Sequence, residues 1–340
     1  MMNELKTNIL ILYTGGTIGM IRSEKGVDYE VAGLPELLKF CPSLEEYPVN
    51  TSFLALDEIK DSSNVCAKDW EQLAQLITEN DSYDGYVVLH GTDTMCYAAT
   101  AQSYLLASLN KPIIFTGAQI PLSEPNSDGE DNLRGALGFA VELCKQQLAH
   151  AVVGIYFDGR LFQANRTIKY SSTDLAAFQS PNYEELGIQS GGTVLFENHH
   201  YKTVLADFSS GFSDEVLLIK IHPNFPEKGL IKYIQTVQPK GILLESFGTG
   251  NIPESTALIS CLEAQIKKEC LVLNCTQCLN GTVDMSKYEA GQQLLKIGVV
   301  DGKDLSTEAG LVKLMLCANL SDKAAAKNLL ASSIAGEMTV

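Results

Sequence analysis

Thr17 carries the clearest chemical signal in this sequence. It stands in Thr14-Gly15-Gly16-Thr17-Ile18-Gly19, directly after the apolar run Asn8–Tyr13. Adjacent glycines let a chain turn sharply and bring main-chain N–H groups close to a bound anion. A threonine just past them can aim its hydroxyl into the crevice above a sheet. A neutral hydroxyl is a poor nucleophile and needs a base within hydrogen-bond reach. A second loop offers partners of that kind: Tyr86–Leu89 runs into His90-Gly91-Thr92-Asp93-Thr94-Met95, so Thr92 and Asp93 stand at a strand end that leads into a helix. N–H groups at a helix start favour an anion or a developing oxyanion, although Thr92 and Asp93 could equally be ordinary helix caps. Lys169 lies in Asn165-Arg166-Thr167-Ile168-Lys169. A solitary lysine is normally a solvated charge, but one held beside a hydroxyl in a half-buried site can exchange a proton with it. Asp61-Ser62-Ser63-Asn64 adds a carboxylate and two hydroxyls in what is otherwise a capped turn.

Such loops need a sheet to hold them. Short apolar runs at Asn8–Tyr13, Tyr86–Leu89, Pro112–Phe115, Ala151–Tyr156, Val216–Ile221, Gly241–Leu244 and Cys270–Asn274 alternate with helical patterns. The helical patterns cover Ala67–Glu79, Thr94–Leu109, Asn132–Lys145, Lys228–Val237, Pro253–Lys268, Ser286–Gly298 and Ser306–Asn319. Trp70, Leu73, Ala74 and Ile77 recur at spacings of three and four, and Asp304 or Ser306 can cap the last of these helices. This alternation predicts an α/β fold with a mainly parallel sheet, whose ligands bind beyond the carboxyl ends of the strands. The polar, glycine-rich stretch 191–212 breaks the rhythm and predicts a linker, with a small hairpin nearby, between an N-terminal catalytic domain over 1–190 and a smaller domain over 213–340.

Other readings of the glycine loop fit less well. The spacing of Gly15, Gly16 and Gly19 is neither the dinucleotide-binding G-x-G-x-x-G nor a phosphate-binding G-x-x-x-x-G-K-[ST]. Cys275 and Cys278 have C-x-x-C spacing without a second pair, which favours packed thiols over a metal. His199 and His200 read as solvated, and His90 as either a site-lining or a packing residue. With 41 acidic against 25 basic residues the formal charge is −16, so nucleic acid and anionic membranes are poor partners. No run reaches the roughly 18–20 apolar residues that span a bilayer. The first residues lead straight into a strand rather than a cleavable signal, and nine irregularly spaced cysteines suggest reduced thiols, so a cytoplasmic location is expected.

Taken together the motifs resemble the asparaginase family, in particular its bacterial cytoplasmic (type I) branch and animal relatives. The shared phrases are Tyr13–Met20, Asp61-Ser62-Ser63, His90–Met95, Thr116-Gly117-Ala118-Gln119, Ser127-Asp128-Gly129 with Asn132-Leu133, and Asn165-Arg166-Thr167 with Lys169. They continue through Phe247–Asn251, Asn274–Cys278 and Gly336–Thr339, so nearly the whole chain is covered. The resemblance implies a flavodoxin-like N-terminal domain, a smaller C-terminal domain, an intimate homodimer that often pairs into a tetramer, and no metal or organic cofactor. It implies hydrolysis of L-asparagine to L-aspartate and ammonia. In that reading Thr17 is the covalent nucleophile, while Thr92, Asp93 and Lys169 form the second catalytic group. Asp61, Ser62, Ser63, Thr92 and Asp93 line the substrate site, and by family analogy alone Asn251 reaches a neighbouring subunit's pocket.

Two departures from the family pattern matter. The family carries a tyrosine on a mobile lid after the nucleophile; here Tyr29 is the candidate, while alignment by eye puts Val27 nearer the usual position. Some bacterial members have an allosteric asparagine site that uses an arginine and a threonine where this chain has Glu245 and Ile168. An acid facing a carboxylate repels it, so that activation is expected to be absent or altered. Competing expectations are a glutamine or mixed-amide hydrolase, a non-catalytic amino-acid sensor and, more remotely, a nucleotide-dependent oxidoreductase.

Overall fold

The computed structural model describes residues 6–23, 28–41, 44, 49–146, 152–190, 193–196 and 211–339. Contacts divide the chain into two compact units, Met1–His200 and Tyr201–Val340.

The first unit begins with β1 (Thr7–Gly15), the hairpin β2 (Met20–Arg22) and β3 (Tyr29–Val31), the single turn α1 (Leu34–Leu37) and β4 (Val49–Lys60). It continues through α2 (Ala67–Glu79), β5 (Gly85–Leu89), α3 (Met95–Leu105), β6 (Pro112–Thr116), α4 (Gly129–Cys144) and β7 (Val152–Phe157). The strands β8 (Arg160–Gln163), β9 (Ile168–Lys169), β10 (Phe178–Gln179), β11 (Gly187–Ser190) and β12 (Thr193–Phe196) follow. Eight of these strands form one sheet in the order β12-β11-β8-β7-β6-β5-β1-β4. The segment β4-β1-β5-β6-β7 is parallel, and β8, β11 and β12 extend it antiparallel. Read in chain order the parallel part is the flavodoxin-like 2-1-3-4-5 winding, whose switch point lies between β1 and β5.

The sequence explains these elements. β5 and β6 are buried along their whole length, as parallel strands covered on both faces should be. α2 buries Trp70, Leu73, Ala74 and Ile77 on one face, and the Asp69 carboxylate accepts the Cys66 N–H at 2.8 Å to close its first turn. The edge strand β4 runs for twelve residues, most of them half-buried, and its interspersed Thr51, Ser52, Asp57 and Glu58 hide the strand pattern. β12 falls inside the stretch expected to be linker: it pairs with β11, so the sheet of the first unit reaches beyond residue 190. His199 and His200 lie outside the described residues.

The second unit contains β13 (Val216–Lys220), α5 (Glu227–Val237), β14 (Gly241–Ser246), α6 (Thr256–Ile266), β15 (Leu271–Thr276), α7 (Glu289–Ile297), β16 (Val300–Asp301), α8 (Thr307–Ala318) and α9 (Lys323–Ala331). Its four strands are parallel in chain order. Alternate residues of each strand face opposite ways. Ile242, Leu244 and Val272 therefore pack with Ile234, Leu262 and Leu294, while Leu243, Leu271 and Leu273 pack with Leu314, Cys317 and Leu330. Ser306, not Asp304, caps α8 by accepting the Ala309 N–H at 3.1 Å. Asp304 instead accepts the Thr339 N–H at 2.7 Å.

Candidate active site

Three loops meet at the switch point because glycine allows their backbones to touch. Gly15 and Gly16 have φ of 117° and 83°. A Cβ on Gly15 would lie 2.0 Å from the Lys60 carbonyl oxygen, and one on Gly16 2.2 Å from both the Cα and N of Gly91. A Cβ on Gly91 would in turn lie 2.5 Å from Ser62 Oγ. The Gly16 N–H donates to the Lys60 carbonyl at 3.1 Å, and the Thr94 hydroxyl donates to the Ser62 carbonyl at 2.8 Å. Thr17 follows Gly16 as Thr92 follows Gly91, so the contact between the two glycines brings both threonine loops to one edge of the sheet.

The threonines flanking the glycine pair do different things. Thr14 is buried and donates to the Leu89 carbonyl at 3.0 Å, tying β1 to β5. Thr17 opens a 3-10 turn, Thr17–Gly19. Its side chain is half-buried.

Lys169, delivered by β9 opposite Phe178, points its ammonium at the second loop. Nζ donates to Thr92 Oγ1 at 2.8 Å and to Asp93 Oδ1 at 2.5 Å. The Lys169 side chain is 17% exposed and that of Asp93 63%, whereas Thr92 is buried. The Thr92 hydroxyl donates to Gln119 Oε1 at 3.2 Å. Neither Thr92 nor Asp93 is a helix cap: the residue before α3 is Thr94.

At the third loop Asp61 Oδ1 accepts both the Ser63 N–H at 2.8 Å and the Ser63 hydroxyl at 2.5 Å, which caps the turn Ser62–Asn64. Ser62 is buried beneath Gly91. These bonds join Asp61 to Ser63 and leave Asp61 Oδ2 as a second carboxylate oxygen.

Tyr29 lies on β3, and its hydroxyl donates to Glu124 Oε1 at 3.0 Å. Arg22 on β2 grips the same carboxylate at 2.6 and 3.2 Å and lies 5.5 Å over the Tyr29 ring. The hairpin after Thr17 is thus fastened at its stem, and the Arg22 guanidinium holds the Glu124 carboxyl below the usual carboxylate range. Val27 lies outside the described residues. His90 is buried, with Nδ1 2.7 Å from the Gly91 carbonyl and its ring 6.0 Å from that of Phe115. Burial pushes its pKa below the ordinary imidazole value, the signature of a neutral packing residue.

Gln119 and Asp128 join the site without having been assigned a role from the sequence. Both Asp128 carboxylate oxygens accept the Gln119 N–H at 3.0 Å, and Oδ1 accepts the Ile120 N–H at 2.9 Å. Their only sequence signal was membership of shared phrases; a lone glutamine has no chemical signature of its own.

In the second unit Cys275 is fully buried and Cys278 exposed. Burial pushes the Cys275 thiol up to about 12, and among the described residues no three His, Cys, Asp or Glu side chains converge as metal ligands. Glu245 pairs with Lys220 at 3.1 Å and accepts the Thr307 hydroxyl at 2.6 Å. Asn251 forms a bridge with Phe247.

The sequence matches the family description "Asparaginase, N-terminal" over residues 8–202 and "Glutaminase/Asparaginase C-terminal domain" over 215–329. It is 33% identical over 351 residues to L-asparaginase 1 of Escherichia coli, covering 98% of each chain. It is 35% identical over 364 residues to the 60 kDa lysophospholipase of Mus musculus, covering 98% of this chain and 62% of that one. The thermostable L-asparaginase of Thermococcus kodakarensis superposes with a TM-score of 0.86 at 28% identity, over 98% of this chain and all (100%) of that one. Sequence motifs, sheet winding and loop geometry agree with these matches: the chain belongs to the asparaginase family of amide hydrolases.

Proposed function

We propose that the protein hydrolyses L-asparagine to L-aspartate and ammonia through an aspartyl ester on Thr17. The observation that carries this reading is the meeting of the two loops at Gly16 and Gly91 with Lys169 held 2.8 Å from Thr92. Asp61, Ser62 and Asp93 hold the substrate's α-ammonium and α-carboxylate. The Thr17 oxygen attacks the side-chain amide carbon while its proton passes to a base, either Lys169 acting through Thr92 or the lid residue Tyr29. The C–N bond breaks, and the departing nitrogen takes up a proton to leave as ammonia. Water, deprotonated through the Thr92–Lys169 pair, then attacks the ester. The ester bond breaks, aspartate departs, and Thr17 recovers its proton. Main-chain N–H groups of the Thr92 loop stabilise the tetrahedral oxyanion, a contribution of about 3–4 kcal/mol per donor.

Family membership supports the amide chemistry, and the sensor reading is less favoured because binding alone needs no lysine–threonine pair beside a nucleophile. The dinucleotide reading loses its support because the glycines serve loop-to-loop contact. Glutamine differs by one methylene, worth about 1–3 kcal/mol in a pocket. Ammonia release from the two amides under identical conditions measures that selectivity. We further infer a cytoplasmic homo-oligomer, a dimer or a dimer of dimers. All nine cysteines are free thiols, as expected of a reducing compartment.

The deciding experiment is ammonia release from asparagine by wild type beside Thr17→Ala. Loss of the nucleophile is expected to cut kcat by about 1,000-fold or more. Full activity in the variant would reject the mechanism even with the substrate correct.

A further inference from the structure

We infer that Gln119 is a positioning residue that fixes which way the Thr92 hydroxyl proton points; the inference rests on the proposed roles of Thr92 and Lys169. A protonated lysine has three donors and no acceptor. In its 2.8 Å contact with Lys169 Nζ, Thr92 Oγ1 must therefore be the acceptor. The hydroxyl's own proton needs another acceptor, and Gln119 Oε1 provides it at 3.2 Å. The orientation of the amide is set from its other end. Gln119 Nε2 donates at 3.1 Å to the Asp174 main-chain carbonyl, which can only accept, so the carbonyl end of the amide faces Thr92.

Both ends of this arrangement are braced. Asp128 pins the Gln119 main chain through the 3.0 Å contacts with its N–H, and Asp128 is itself held by Asn132 Nδ2 at 3.0 Å. Asp174 sits in a turn closed by Ser171, whose hydroxyl donates to Asp174 Oδ2 at 3.0 Å while its oxygen accepts the Asp174 N–H at 3.0 Å. Gln119 therefore joins the loop after β6 to the 171–174 turn, with Thr92 between them. In the resting state a Thr92 lone pair faces Lys169 and its proton faces Gln119. A relay toward a neutral lysine needs the reverse, so each cycle starts from one defined hydroxyl rotamer.

The Lys169 ammonium contacts Asp93 at 2.5 Å, and the carboxylates of Asp128 and Asp174, which brace Gln119, are occupied by main-chain N–H groups and by Ser171. Against that fixed background Gln119→Leu and Gln119→Glu give different expectations. Leucine removes the acceptor and leaves the Thr92 hydroxyl proton without a fixed direction. Glutamate keeps an acceptor oxygen in the same place, so kcat should stay within about threefold of wild type. Gln119→Leu should lower kcat about tenfold, a part of what an oriented acid–base group contributes, with KM within about twofold of wild type.

The test measures kcat and KM for asparagine and a melting curve for wild type, Gln119→Leu and Gln119→Glu. A loss of kcat in Gln119→Leu that Gln119→Glu does not share, at unchanged KM, supports the inference. A kcat in Gln119→Leu within about twofold of wild type, or an equal loss in both variants, overturns it. Should Gln119→Leu fail to fold, Gln119→Met, which also lacks the acceptor, takes its place. Wild type that releases no ammonia defeats the proposed function, whereas active wild type with no difference between the two variants defeats only the role of Gln119.

Discussion

The loops that carry Thr17 and Thr92 touch through Gly16 and Gly91, and no other residue type would let these backbones lie so close. At this scale His90 gives a pH signature. Burial keeps it neutral in the folded protein by lowering its pKa. Its stabilising contribution is therefore intact above the ordinary value of about 6.5 and is lost as the pH falls below it, because the unfolded chain takes up the proton first. Urea denaturation from pH 7 down to pH 5 should show stability falling by up to about 1.4 kcal/mol per pH unit from this residue, with a shallower slope in His90→Gln. Equal slopes in the two proteins would contradict the assignment. Thr17, Thr92, Asp93 and Lys169 stand out as candidates in the sequence because each sits in a phrase whose chemistry can be named. Gln119 and Asp128 were not, since their roles depend on contacts with Asp174, Thr92 and the loop after β6 that only the folded chain brings together.

The elements hold the site through backbone geometry that side chains cannot imitate. Gly16 has φ 83° and ψ −179°, a region open in practice only to glycine. Gly16→Ala must also separate the loop from Gly91, and it is expected to cost about 2–4 kcal/mol in urea denaturation and to abolish ammonia release. A fully stable and active Gly16→Ala protein would show that the loops do not need this contact. The helix at Ala67–Glu79 and the buried strands of the parallel sheet were readable because their patterns are undisturbed by polar insertions. β4 is absent from the strand-like apolar runs of the sequence, since an edge strand half open to solvent tolerates polar residues on both faces. α9 escaped because its alanine-rich start gives little amphipathic contrast; Asp322, which accepts the Ala324 and Ala325 N–H groups at 3.0 and 2.9 Å, marks where it begins.

At the scale of the whole molecule, the family phrases run almost from end to end, and the alternation of strands and helices predicts two α/β domains. What composition could not announce is how the C-terminal residues are held. Lys313 and Glu337 are both fully buried (0% exposed) and 2.6 Å apart. Glu337 also accepts the main-chain N–H groups of Ile334 and Ala335, at 2.9 and 2.7 Å. Lys313→Met leaves that carboxylate buried without its counter-charge, so a loss of about 3–5 kcal/mol is expected in denaturation of the full chain. A change below about 1 kcal/mol, the size usual for an exposed pair, would show that the pair is not sealed from water.

The central claim is that the oxygen of Thr17 becomes bonded to the aspartyl carbon in each turnover. Rapid acid quenching of wild type with asparagine, followed by peptide mass spectrometry, tests it most directly. The account predicts an aspartyl adduct on the peptide containing Thr17, absent in Thr17→Ala. An adduct on another residue, or turnover that persists in Thr17→Ala, would contradict it.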